Sequence, residues 1–167
     1  MKVGIMADQK LETLLSHRHT ALLKLIAAKQ RWHAARVELL TGKAELQPLI
    51  GATITEHDEM FHTEIIPMIQ EVERLFEAGH SQQIPKKLAL KTQGLFELQR
   101  LTNLQRGYRA ILNDLDREQL TTFHDYLDAQ KHHQLLVNIT EDLMEPEAAT
   151  ALFYEEQTVL AQATLVE

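Results

Sequence analysis

Cysteine is absent from the 167 residues, which removes disulfide frameworks, thiol nucleophiles and cysteine-type zinc sites together and fits a reducing compartment. Six glycines, four prolines and 5% aromatics are too few for a turn-rich sandwich or barrel, so an all-β fold is set aside. Long apolar runs are also missing: every Leu-rich stretch is broken by Lys, Arg, Glu or His before it reaches the roughly 18 uncharged residues a membrane span needs. The apolar residues ahead of Asp8 and Lys10 are too few for a signal-peptide core, and the expectation is a soluble, cytoplasmic protein. No glycine-rich phosphate loop, GxSxG elbow or HExxH motif occurs, which argues against nucleotide chemistry, serine hydrolysis and zinc proteolysis.

What the chain does have is helical periodicity. Between Asp8 and Thr41 there is neither Gly nor Pro, and Leu11, Leu14, Arg18, Ala21, Leu25, Ala28, Trp32, Ala35 and Leu39 recur at spacings of three and four. This predicts a long first helix whose coiled-coil-like stripe alternates large residues with alanine, and Leu15, Leu22 and Ile26 widen it toward a bundle face. Gly42, Pro48 and Gly51 read as a corner. Thr53-Ile54-Thr55-Glu56 then has capping-box form, opening a second helix that Pro67 kinks or splits and Ala78-Gly79 ends. Pro85 opens a third helix carrying Leu88, Leu95, Leu98, Leu101, Leu104, Tyr108 and Ile111, Asp116 opens a fourth, and Pro146 a fifth. The expected fold is all-α: one up-and-down bundle domain of about five helices over residues 1–167, with 1–7 flexible.

Charge is segmented along the chain. Residues 1–52 carry +4, 53–80 carry −6, 81–113 carry +5 and 114–167 carry −10, which together give the net −7. Consecutive helices joined by short connections lie antiparallel, so this alternation places basic beside acidic and favours one register. Phosphate or nucleic-acid binding by the first and third helices is the competing reading, through Lys24, Lys29, Arg31 and Arg36 and through Lys86, Lys87, Arg100, Arg106 and Arg109. Those cations are dispersed around their helices, stacking aromatics are scarce, and the acidic helices repel a polyanion.

Nine histidines raise the question of metal. Glu59-Met60-Phe61-His62 has the ExxH spacing that sets a carboxylate and an imidazole on one helical face, as in carboxylate-bridged di-metal bundles. With 17 Glu and 9 His in the chain, chance alone supplies about one such match. A di-metal centre requires a second ExxH inside a facing helix; the other match, Glu77-Ala78-Gly79-His80, runs across the helix end at Ala78-Gly79, and the nearest substitute within a helix is Asp128 with His132. Glu59, His62, Asp128 and His132 are therefore the ligand set of an alternative, ferritin-like reading with Fe, Mn or Zn.

The leading expectation is a non-enzymatic interaction module, an adaptor, regulator or chaperone-like carrier that offers an amphipathic helix face to another protein or to a second copy of itself. Leu25, Trp32 and Leu39 on the first helix are its expected interface. Trp32, the only tryptophan, sits between Ala28 and Ala35 on the stripe, where it has room to act either as a core knob or as a dimer-seam anchor.

Overall fold

The computed structural model describes residues 2–90 and 92–163, and the side chains of these apart from residues 2–7, 90 and 93. It is all-α, 95% helical, with no strand among the described residues. Helix α1 spans Lys2–Met60, α2 Ile66–Glu77, α3 Ile84–Leu90, α4 Thr92–Glu141 and α5 Pro146–Ala163. A π-helical turn, Phe61–Ile65, joins α1 to α2, and a 3₁₀ turn, Ser81–Gln83, leads into α3. Among the described residues, no helix is long and apolar enough to cross a membrane. The segment expected to be loose, 1–7, lies outside the described side chains.

Two helix boundaries expected from the sequence are absent. The corner at Gly42, Pro48 and Gly51 is continuous α1. Glycine weakens a helix without breaking it, and the proline ring, whose fixed φ is helical, removes one backbone bond in a helix carried on both sides by good helix formers. Thr53 consequently caps nothing: it is buried inside α1, and its hydroxyl donates back to the Ile50 carbonyl at 2.7 Å. Likewise α4 runs through Asp116, because residues 108–145 contain neither Gly nor Pro and an N-cap residue alone cannot stop an established helix.

Other signals act as expected. Pro67 stands at the start of α2, directly after the π-helical turn, where the missing N–H and the clash with the preceding turn are absorbed by widening the helix. Gly79, at φ 77, ends α2: its N–H donates to Phe76 O at 3.2 Å and the His80 N–H reaches Leu75 O at 2.8 Å, closing both orphan carbonyls. Pro146 begins α5 with Glu147 in its first turn, where a carboxylate meets the positive end of the helix dipole.

The chain divides into two compact units, residues 1–39 with 115–167 and residues 40–114. In the first, Ala21, Leu22, Leu25, Ala28, Ala35 and Leu39 of α1 are buried together with Leu136 and Val137 of α4 and Ala149 of α5. The predicted stripe is thus the core-facing side of α1. The second unit buries Ile65, Leu75 and Leu101, each on a different helical segment.

Candidate interaction surface

The first unit contains a buried polar cluster. Arg18, only 1% exposed, donates from Nε (2.9 Å) and Nη2 (2.6 Å) to Glu156 Oε1 and from Nη1 to Thr140 Oγ1 (2.7 Å). Thr140, itself fully buried, donates a hydrogen bond from its hydroxyl to the Leu136 carbonyl at 2.7 Å. His133 Nε2 approaches Glu156 Oε1 to 3.3 Å without forming a hydrogen bond. Three helical segments are thereby tied at one point, and the guanidinium charge is met by a carboxylate as burial demands. The cluster borders a cleft of about 270 Å³ lined mainly by Leu15, Leu22, Leu23, Ile26, Leu152 and Val159. His19 and Glu155 complete its wall beside the paired Arg18 and Glu156.

The residues expected to face a partner are used inside the first unit. Leu25 and Leu39 are buried. Trp32 stacks on Tyr126 with ring centres 5.4 Å apart and tilts against Phe123 at 5.2 Å, while the Arg36 guanidinium lies 5.8 Å over its ring. Its Nε1 is buried without an acceptor, a sign that this indole is held by aromatic packing alone. Of the expected interface residues, Leu25 and Leu39 thus lie in the core of the first unit, and Trp32 is half-buried against Tyr126 and Phe123.

The metal reading meets a different geometry. Glu59 and His62 belong to the second unit, and Asp128 and His132 to the first. All four are exposed. His62 falls in the π-helical turn, with Nδ1 2.8 Å from the Asp58 carbonyl. The Glu59 carbonyl accepts from Thr63 at 2.8 Å. Among the described residues no three His, Asp or Glu side chains are grouped as a metal ion requires.

The open surface lies in the second unit, on α4. Leu98, Leu101, Gln105, Tyr108 and Leu112 turn the inner side of that helix inward, with Leu101 fully buried. A neighbouring face carries Phe96, 70% exposed, and Ile111, 50% exposed, at the two ends of a shallow groove of about 510 Å³. Gln99, Arg100, Asn103, Leu104, Gly107 and Tyr108 lie between them, so among the described residues a single helix lines the groove. Gln99 Nε2 donates to Asn103 Oδ1 at 3.0 Å, and the Arg100 guanidinium is bound by Glu97 one turn earlier. That hydrogen bond and the cation's field hold the Glu97 carboxyl below the usual carboxylate range, and Arg100 is shifted upward in return. Gly107, in the middle of a 50-residue helix, has nothing within 4 Å of where a Cβ would stand. Glycine there costs about 1 kcal/mol against alanine, and no close approach within the chain accounts for it.

The sequence stripe named Tyr108 and Ile111 as one apolar side with Leu101, and it passed over Phe96. The available signal was angular. Leu98, Leu101, Tyr108 and Leu112 repeat at three, seven and four, whereas Phe96, Leu104 and Ile111 fall on a second face about a third of a turn away. The chain matches no family model, no curated protein and no solved structure.

Proposed function

We propose that the chain is a non-enzymatic protein–protein interaction module and that the α4 face between Phe96 and Ile111 is where a partner helix docks. One observation carries the reading: a large aromatic 70% exposed and an isoleucine 50% exposed at the ends of an apolar groove that, among the described residues, α4 alone lines. Helix-in-groove recognition reads anchors at i, i+3, i+4 and i+7, about two turns, and the Phe96–Ile111 stripe, about four turns long, is long enough to receive such a set. Large exposed aromatics at such a spacing are the residue types that dominate interface energetics. The stripe and the polar cluster of the first unit are used within that unit.

The test is co-purification from the source cell with the natural chain, Phe96→Glu and Ile111→Glu, read by mass spectrometry. Partners lost equally in both variants, with helicity unchanged, support the reading. Partners retained in both, or lost on Leu23→Glu in the first unit and not on Phe96→Glu, overturn the assignment of this face.

A further inference from the structure

We infer that the cleft between α1 and α5 in the first unit binds a small primary aliphatic amine, whose ammonium group donates to Glu156 Oε2 while its hydrocarbon body lies on the apolar wall. The inference is independent of the α4 face, which belongs to the other unit. It starts from a one-sided ion pair. An arginine and a carboxylate ordinarily meet as two forks, one N–H to each oxygen. The surface pair of this chain does so: Arg74 Nε donates to Glu71 Oε2 at 3.0 Å and Nη2 to Oε1 at 2.8 Å. In the buried pair both Arg18 donors converge on Glu156 Oε1, and His133 Nε2 faces the same oxygen at 3.3 Å. Oε2 therefore accepts no hydrogen bond among the described residues, although Glu156 is only 4% exposed. Nor is it sealed in. The buried atoms without a partner are Trp32 Nε1 and His133 Nε2 among the described residues, and Glu156 lines the cleft, which is where its second oxygen meets solvent. A carboxylate oxygen so placed has its acceptor capacity left for a donor that enters from outside.

Charge and size set the class of that donor. Arg18 against Glu155 and Glu156 leaves the wall one negative charge in excess, with His19 counted as neutral, so the cleft attracts a cation and repels a carboxylate or a phosphate. A quaternary ammonium has no N–H to give Oε2, whereas a primary ammonium has three, as lysine does. The surroundings require an apolar body. Leu15 and Leu152 stand one turn before the Arg18–Glu156 pair in their helices, and Leu22, Ile26 and Val159 follow it, so the free oxygen interrupts an otherwise aliphatic wall. At about 270 Å³ the cleft is larger than the roughly 150 Å³ apolar cavity that holds benzene, which leaves room for a body of about six carbons and its ammonium head. Such a site has the usual composition of small-molecule pockets, mostly apolar with few polar groups that fix orientation.

Titration calorimetry on the purified full chain with hexylammonium, 1-hexanol and hexanoate compares one hydrocarbon body under three heads. The expected result is saturable binding of hexylammonium, one per chain, about tenfold or more tighter than hexanol, and no binding of hexanoate. Carbon-detected spectra locate it: the Glu156 carboxyl carbon and the methyls of Leu22, Ile26 and Val159 should shift, and the Ile111 methyls in the second unit should not. Glu156→Gln should weaken hexylammonium about tenfold or more and leave hexanol unchanged. Because Glu156 also holds Arg18, a second variant tests the site without touching the pair. Val159→Trp, at a half-exposed position on the cleft wall, fills the space and should abolish binding of both hexylammonium and hexanol with helicity unchanged. Equal binding of hexylammonium and hexanol overturns recognition by the carboxylate, and tighter binding of hexanoate overturns the charge assigned to the cleft. Absence of saturable binding by all three, or a Val159→Trp variant that binds as the natural chain does, overturns the site itself.

Discussion

Removing the carboxylate of Glu156 should be among the most damaging single changes in the first unit, and the expected size follows from its geometry. Glu156→Leu leaves the Arg18 guanidinium 1% exposed with only Thr140 Oγ1 to receive it, because both other donors point at Glu156 Oε1. An uncompensated buried charge of this kind costs about 3–5 kcal/mol. Two features place the value toward the lower end. The Thr140 acceptor survives, and both Arg18 and Glu156 border the 270 Å³ cleft, through which water can reach the bare cation. Arg18→Met should cost a similar amount by stranding the carboxylate, whose remaining neighbour is His133 at 3.3 Å. Replacing both, Arg18→Met with Glu156→Leu, exchanges the pair for apolar atoms of like volume and should cost about 2 kcal/mol or less. The double-mutant cycle should therefore show a coupling of at least about 4 kcal/mol. Urea denaturation followed by Trp32 emission is the assay, since the only tryptophan lies in the same unit. A Glu156→Leu variant within about 1 kcal/mol of the natural chain, or a double variant as unstable as the single ones, would refute the argument that paired burial holds these segments together.

Trp32→Ala should cost about 3 kcal/mol, measured in the same way with near-ultraviolet dichroism replacing the lost emission, because it removes the ring packed on both Tyr126 and Phe123. Two glycine substitutions should act in opposite directions: Gly51→Ala should stabilise by about 0.5–1 kcal/mol, since its Cβ meets nothing within 4 Å, and Gly79→Ala should destabilise by about 1–2 kcal/mol, since φ there is 77. For Glu71 and Glu97, whose carboxyl pKa values are lowered chiefly by hydrogen bonds from Arg74 and Arg100, the folded value lies below the unfolded one. Their pairing therefore supports the fold above the ordinary carboxylate range and is lost as pH falls through the lowered value; carbon-detected titration should place both below the ordinary carboxylate range, with added salt narrowing the gap.

Much of the first unit was legible in the sequence because spacing alone determines which side of a helix is buried. Arg18 appeared on the α1 stripe among Leu14, Ala21 and Leu25, and it proves to be buried with them, its charge met by Glu156. Gly79, Pro67 and Pro146 were readable because each acts through its own backbone geometry. Pro48 and Thr53 were misread because their effect depends on the helix around them: a proline that helical flanks tolerate leaves no mark by which the sequence would distinguish it from a terminator. The ligand set Glu59, His62, Asp128 and His132 was chosen by spacing within helices, and spacing says nothing about which helices adjoin. The α4 groove was hidden for a related reason. Leu95, Leu101, Leu104 and Ile111 all look equally apolar in sequence, and only the packing of α4 in its unit decides that Leu101 goes inside while Ile111 stays out.

The two units differ in what their apolar side chains are used for, and that difference directs attention to the second. Among the described residues the first unit buries nine apolar side chains and ties them with the Arg18–Glu156–Thr140 cluster. The second, 75 residues long, buries three while leaving Phe61, Phe76, Phe96, Ile69 and Ile111 exposed. Isolated exposed hydrophobics are ordinary on any surface. A unit whose three largest exposed aromatics are all outside its own core, and whose core is three residues, has apolar surface that its own folding does not use. Burial of roughly 25 cal/mol per Å² is available to whatever covers that surface, and on α4 the covering element has to match a stripe of fixed length, neutral charge and one side-chain-free notch.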